Sequence, residues 1–304
     1  MKTGVIGLGT MGTEVARNLA RARLLKRIWN RTRHKAERVG GELDISISGS
    51  PKSLARECEL IFISVSGDDD LYDVIDKMLP ELKPGKTVID ISTTSVGAAR
   101  KVAEQVEETG ADFLDAPVTG GVEGARRASL ILMVGGDDMV LDRVSAILDT
   151  ISRKQIYMGP SGSGQATKAV NQVMAAGINQ AVTEALAFAD AMSLDMESVI
   201  DVITAGAAGN WFLKNRGTSL VNNDYDVGFK LELHHKDLKI CQDMALDMSQ
   251  GAEIRLPLVE MTLIHYKRLI EAGMGDKDIS ALYSLKQNMF KIPEDKVSAG
   301  DVSV

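Results

Sequence analysis

The chain of 304 residues contains only two cysteines, Cys58 and Cys241, far apart in sequence. They support neither a disulfide framework nor a CxxC redox or metal motif, so a reducing, cytoplasmic compartment is the expectation. Histidines are also scarce. His34, His234, His235 and His265 form no HExxH, and the adjacent pair lacks the spacing that puts two imidazoles on one helical face, so no metal site is expected. Basic residues are in deficit, with 35 Lys and Arg against 42 Asp and Glu and a net charge of −7. That balance lacks the positive footprint of a nucleic-acid binder, and an anionic ligand would need positive charge gathered locally. Long apolar runs are missing as well. The one after Met1-Lys2 is too short for a secretory signal. The longest apolar-rich stretch, Ala169 to Ala191, is interrupted by Asn171, Gln172, Asn179, Gln180 and Glu184; it reads as a buried helix and not as a membrane span.

What is present is the length for two hydrophobic cores. The first half alternates short apolar runs with amphipathic segments, as βαβ units do. Strands are predicted at Gly4 to Ile6, Arg27 to Trp29, Leu60 to Val65, Thr87 to Ile91, Asp112 to Ala116 and Leu130 to Gly135, with helices such as Thr10 to Arg23 and Val96 to Thr109 between them. The fold class is therefore α/β, a mostly parallel, doubly wound Rossmann sheet, followed by an all-α domain. "MGPSGSG", Met158 to Gly164, reads as the linker, after which Gln165 to Met192 has apolar residues at helical spacing. The expected division is a dinucleotide-binding domain over 1–161, a helical domain over 162–291, and a mobile tail over 292–304 with too few large apolar residues to bury.

Residues 3 to 19, "TGVIGLGTMGTEVARNL", hold a GxGxxG at Gly7, Gly9 and Gly12. Alone this motif is weak, since glycines mark turns of many kinds. Here it follows an apolar strand and opens an amphipathic helix. In that setting Gly7 makes the tight turn, Gly9 lets the backbone approach a pyrophosphate, Gly12 lets helix and sheet close, and the N–H groups of Leu8 to Gly12 face the phosphates. "WNRTR", Trp29 to Arg33, bears on the choice of dinucleotide. An acid about here would hold a ribose 2′-hydroxyl and repel a 2′-phosphate, but Asn30 stands in its place. Arg31 can make a charge-assisted contact to phosphate, with Thr32 as a further donor. NADP is thus the preferred cofactor and NAD the alternative; against both stands a solvated basic helix start.

"GSGQATKAVNQ", Gly162 to Gln172, is not a phosphate loop, because Lys168 is followed by Ala169 where that motif needs a hydroxyl. On a helix, Lys168, Asn171 and Gln172 share one face. The spacing alone leaves two options open, a lysine handing a proton to a carbonyl oxygen or an exposed lysine at a helix start. "LDAPVTGG", Leu114 to Gly121, offers Thr119, Gly120 and Gly121 as an anion cradle or as an ordinary turn. "FKLELHHKDL", Phe229 to Leu238, taken by itself reads as a charged helix surface carrying Lys236.

Together the four segments resemble the β-hydroxyacid dehydrogenase family, over nearly the whole chain and in the family's order. The resemblance implies a Rossmann domain, a helical domain built on a long interdomain helix, and an active site between them. It implies that Lys168 is the catalytic lysine with Asn171 beside it, and that Thr119, Gly120 and Gly121 cradle the substrate carboxylate, with threonine where the family commonly has serine. Thr93 in "IDISTT" and Lys236 are implied as cofactor contacts on the nicotinamide side, and Val65, Ser66 and Asp70 as further cofactor contacts in "FISVSGDDD", a segment that departs from the family's usual Leu-Pro. The "NRT" at Asn30 to Thr32 is similar to the NADPH-using semialdehyde reductases. The implied reaction is hydride transfer between NADP(H) and a small, carboxylate-bearing hydroxyacid or semialdehyde, in a homodimer or homotetramer with no nucleic-acid or membrane partner. A related imine or carbonyl reductase is the alternative, although imine reductases commonly carry aspartate or tyrosine in place of this lysine. A 6-phosphogluconate dehydrogenase would carry His-Asn where Asn171-Gln172 stand. A non-catalytic NADPH-binding module would have no need of Lys168.

Overall fold

A computed structural model describes residues 1–226, 228–248 and 254–290. The expected tail, 292–304, lies outside the described residues. The chain forms two compact units, the first Met1–Asn171 and the second starting at Gln172.

In the first unit the strands are β1 (Thr3–Ile6), β2 (Leu25–Trp29), β3 (Leu60–Ile63), β4 (Thr87–Asp90), β5 (Asp112–Asp115), β6 (Val118–Thr119), β7 (Leu130–Gly136) and β8 (Ser152–Gly159). The helices are α1 (Thr10–Arg21), α2 (Arg33–Leu43), α3 (Pro51–Glu57), α4 (Asp68–Met78), α5 (Val96–Glu107), α6 (Gly121–Arg126) and α7 (Asp138–Leu148). The strand order is β2-β1-β3-β4-β5-β7-β6, and β8 pairs in parallel with β7 off this path. All pairs from β2 through β5 are parallel, while β7 runs antiparallel to β5 and β6.

Successive residues of the central strands serve opposite faces, as the pleat requires. Val5, Phe62, Ile89 and Leu114 pack on one side with Val15 and Leu19 of α1, Ala36 and Val39 of α2, and Val140 and Val144 of α7. Ile6, Ile61, Val88 and Phe113 pack on the other with Leu54 of α3, Leu71 and Ile75 of α4, and Val102 and Val106 of α5. Each fully buried side chain of this size contributes about 1.5–3 kcal/mol. Apolar residues are therefore favoured on both faces, and the strands read as short apolar segments, unbroken in β3 and bounded by aspartate in β4 and β5.

Two expectations need correction. The linker Met158 to Gly164 is shorter than predicted, because Met158 and Gly159 belong to β8. That strand, "SRKQIYMG", is exposed along most of its length and held through its backbone to β7, so no apolar pattern announces it. Similarly, β6 is two residues long and was not expected.

From Ser163 the helix α8 (Ser163–Ala191) carries the chain into the second unit. That unit continues with α9 (Met196–Ala205), α10 (Trp211–Val221), α11 (Leu231–Met248), α12 (Pro257–Glu271) and α13 (Leu282–Phe290). Its core gathers Leu231, Leu238, Val259, Tyr266 and Leu282 in one cluster and Val182, Leu186, Leu213, Leu220 and Tyr283 in another. The reading of Ala169 to Ala191 as a buried helix is corrected in part, since Val170, Met174 and Phe188 are exposed. Among the described residues no helix is long and apolar enough to cross a membrane. On α10, Trp211 is exposed while Phe212 packs partly against both clusters.

Candidate active site

The carboxyl ends of a parallel sheet gather the loops that follow its strands, and ligands bind where the strand order reverses. Here β1 lies between β2 and β3, and the first-unit candidates follow strand ends: Gly7 to Gly12 after β1, Asn30 to Thr32 after β2, Val65 to Asp70 after β3, Thr93 after β4 and Thr119 after β5.

The three motif glycines answer different constraints. Gly7 has φ +88°, and a Cβ on it would lie 1.9 Å from the Ser64 carbonyl oxygen. Gly12 would bring a Cβ to 1.9 Å from the Gly7 carbonyl oxygen, so α1 can close on the turn only with glycine there. A Cβ on Gly9 would meet nothing within 4 Å. Neither backbone strain nor a neighbour asks for glycine at that position; a pyrophosphate on the start of α1 would. The turn is braced by Asn30, whose Oδ1 accepts from the Leu8 N–H at 2.8 Å and whose Nδ2 donates to the Thr32 carbonyl at 3.0 Å. Thr10 and Met11 form the first turn of α1, which has no side-chain cap and no acid to compete for its N–H groups.

Arg31 is exposed, and its guanidinium pairs with the Asp70 carboxylate from the start of α4. Thr32 is the N-cap of α2 and makes no side-chain cap bond. Val65 donates its N–H to Ser92 Oγ at 2.9 Å, tying the loop after β3 to the loop after β4, while Ser66 is exposed. Thr93 is half-buried in that second loop.

Two carboxylates that the sequence reading passed over sit under these loops. Asp90 and Asp115 are register partners at the ends of β4 and β5, and both are fully buried. Asp90 accepts from the Ser92 N–H at 2.9 Å and the Thr94 hydroxyl at 3.3 Å. Burial pushes its carboxyl up to about 6 against those hydrogen bonds, and Asp115 pushes the same way. Asp115 accepts from the backbone N–H of Gly162 at 2.7 Å and of Gln165 at 2.9 Å, and so caps the start of α8. Burial raises its carboxyl too, opposed by those N–H groups. Close approach is built in on both sides, because a Cβ on Gly135 or Gly164 would lie within 3 Å of Asp115 atoms.

With α8 pinned in this way, Lys168 is buried and its Nζ donates to the Val118 carbonyl at 2.9 Å. The next residue, Thr119, is half-buried; Gly120 (φ +123°) and Gly121 (φ +62°) follow, exposed, in the left-handed region at the start of α6. The fold thus brings Lys168 to the segment of Thr119, Gly120 and Gly121, 47 to 49 positions earlier in the chain. Asn171 is half-buried and closes the first unit. In the second unit Lys236 lies 2.9 Å from Asp237 Oδ1, and Asp237 Oδ2 accepts from Gln172 Nε2 at 2.7 Å. His234 is spent inside the core, with Nδ1 3.0 Å from the Tyr266 hydroxyl. Among the described residues, no group of three or more His, Cys, Asp or Glu side chains could hold a metal ion.

Sheet, glycine turn and open helix start define the first unit as a dinucleotide-binding domain of the Rossmann type. The sequence profile for the NAD-binding domain of 6-phosphogluconate dehydrogenase matches residues 2–159. A second, described as NAD-binding of NADP-dependent 3-hydroxyisobutyrate dehydrogenase, matches residues 162–286. The chain belongs to the β-hydroxyacid dehydrogenase family of NAD(P)-dependent oxidoreductases. It is 35% identical over 289 residues to an uncharacterized oxidoreductase of Shewanella frigidimarina, covering 92% of this chain and 96% of that one. It is 34% identical to the 2-hydroxy-3-oxopropionate reductase of Escherichia coli K12, also over 289 residues, covering 93% and 96%. Among solved structures, the 3-hydroxyisobutyrate dehydrogenase of Mycobacterium tuberculosis with L-serine superposes with a TM-score of 0.84 at 30% identity, covering 93% of this chain and 98% of that one.

Proposed function

We propose that the protein is an NADP(H)-dependent oxidoreductase that interconverts a small β- or γ-hydroxyacid and its semialdehyde or oxoacid, with Lys168 as the general acid and base. The observation that carries this reading is the seat of Lys168. A lysine so nearly withdrawn from water is expensive unless charge or hydrogen bonds compensate, and this one is held on the carbonyl just before Thr119. A substrate carboxylate on Thr119, Gly120 and Gly121 would add the opposite charge and bring the substrate's carbonyl oxygen within reach of the ammonium. The names of the relatives support a substrate of this size, since 2-hydroxy-3-oxopropionate and L-serine are both three-carbon carboxylates.

When bound, the reduced nicotinamide supplies the hydride. Lys168 gives a proton to the carbonyl oxygen in reduction and takes the hydroxyl proton in oxidation. Asn171, one turn further along α8, orients the reacting oxygen. Gly9 and the first turn of α1 hold the pyrophosphate, while Val65, Ser66 and Thr93 line the cofactor's path along the strand ends. Arg31 and Thr32 take the 2′-phosphate. Asn30 cannot substitute for the missing acid, because its side chain is committed to Leu8 and Thr32.

Lys168→Ala tests the reading. NADPH should still bind, while kcat for glyoxylate, 2-hydroxy-3-oxopropionate or succinic semialdehyde falls by roughly 10² or more, followed at the reduced-nicotinamide absorbance. A folded variant that turns over like wild type rejects Lys168 as the acid.

A further inference from the structure

The first turn of α8 carries a buried amide to which the reading above gives no task. Gln165 is 1% exposed and reaches the loop after β4, where its Nε2 donates to the Ser92 carbonyl at 2.9 Å and its Oε1 accepts from the Thr94 N–H at 3.1 Å. Those peptide groups lie on either side of Thr93. The backbone N–H of the same residue goes to Asp115, at the end of β5. One turn along the helix, on the same face, stands Lys168.

A single helical turn therefore grips three separate strand ends. It holds the Thr93 loop through a side chain, Asp115 through backbone N–H groups, and the segment before Thr119 through the Lys168 ammonium. The amide is matched to its place in a way that an apolar side chain of the same volume would not be. It offers one donor and one acceptor to two peptide groups spaced as in a strand, which fixes the loop along its length as well as its depth. Filling the space would need only bulk; fixing the register needs both bonds.

We propose that Gln165 is a positioning residue that sets the loop of Thr93 against the helical turn of Lys168, so that the cofactor and the proton donor are aligned by one side chain. The inference rests on the reading of Lys168 as acid and base and of Thr93 as a cofactor contact. Misplacement by about 1 Å between reacting groups can cost as much as 10²-fold in rate.

The test uses the full chain in two variants. Gln165→Met keeps the length and removes both hydrogen bonds; kcat should fall about tenfold or more, with the NADPH Kd, read by fluorescence titration, nearly unchanged. Gln165→Glu keeps the shape but, when ionised, opposes the Ser92 carbonyl. Once protonated, the introduced carboxyl can again donate to Ser92 and accept from Thr94. Its kcat divided by that of wild type at the same pH should therefore rise as pH falls. The charged groups around it, Asp90 and Asp115 from the strands and Lys168 on its own helix, titrate in both proteins; their coupling to the introduced carboxyl sets the pH at which the ratio rises, and recovery of the ratio to near one at low pH reads the restored hydrogen bonds. A wild-type kcat in Gln165→Met, or a flat ratio in Gln165→Glu, overturns the inference. If Gln165→Met does not fold, the ratio decides alone. Lys168→Ala run in parallel separates the two readings. Full turnover there removes the basis of the proposal, whereas an inactive Lys168→Ala beside a fully active Gln165→Met removes only the positioning role.

Discussion

Replacing Asp90 by asparagine should make the protein more stable at neutral pH, although it deletes a charged and hydrogen-bonded group. An unfolded aspartate titrates at its ordinary 3.8, whereas burial holds the Asp90 carboxyl at about 6 in the native protein. Between those values the native state binds the proton that the unfolded state has lost, so stability falls as pH rises through the window. The gap of roughly two pH units, at about 1.4 kcal/mol each, places the full cost near 3 kcal/mol above about pH 6. Below the unfolded value both states are protonated and the cost is absent. Asparagine is neutral throughout, and it can accept from the Ser92 N–H with Oδ1 while turning Nδ2 toward the Thr94 hydroxyl. The variant's advantage should thus be negligible near pH 4 and approach about 3 kcal/mol, as an upper figure, near pH 8. Urea unfolding followed by circular dichroism at several pH values measures it. Asp115 is the internal control, because both its oxygens already accept backbone N–H groups. Asp115→Asn must point an NH₂ at one of them and should destabilise. An advantage for Asp90→Asn that does not widen with pH, or the same sign for both variants, would refute the argument.

Three further outcomes are expected. Thr119→Ala should raise KM for carboxylate-bearing substrates more than it lowers kcat, as loss of ground-state binding does; an effect on kcat alone would remove Thr119 from the carboxylate. Asp70→Asn should strengthen NADPH binding severalfold and leave NADH nearly unchanged, because in the free protein Arg31 is engaged by Asp70 and an exposed pair of this kind is worth roughly 0–1 kcal/mol; titration of both cofactors at two salt concentrations reads it, and equal effects on the two would place Arg31 away from the 2′-phosphate. Sedimentation should find a homodimer or homotetramer, since Met174, Phe188, Val202 and Ile264 leave large apolar side chains exposed; a monomer, or no shift on Phe188→Asp, rejects self-association through them.

The sequence was most readable where burial dictates residue type. The strands β1, β3, β4 and β5, covered on both faces, are announced by their short apolar segments even though β4 and β5 end in aspartate, and the glycine turn announces itself because Gly7 and Gly12 admit no Cβ. Where the backbone does the holding, residue type carries little signal. β8 is kept in the sheet by its hydrogen bonds to β7 while its side chains face water, so "SRKQIYMG" resembles a linker. The same holds within the site. Lys168 and Thr119 stand out as chemistry-bearing residues, but Asp115 and Gln165 act on peptide groups 47 to 73 positions away, and no local pattern records such partners. The pairing of Arg31 with Asp70 joins two helix starts 39 positions apart and was equally hidden.

The bond from Lys168 to the Val118 carbonyl has a consequence for reversibility. An ammonium carries three N–H donors and a neutral amine two, so the anchor to Val118 is available in both protonation states. On losing its proton the nitrogen is not obliged to swing away in search of a partner. It keeps one donor on the carbonyl, and its new lone pair takes the direction that the departed proton had. If Lys168 is the acid proposed above, an anchor of this kind would let the same nitrogen act as the base for the reverse step without a change of rotamer.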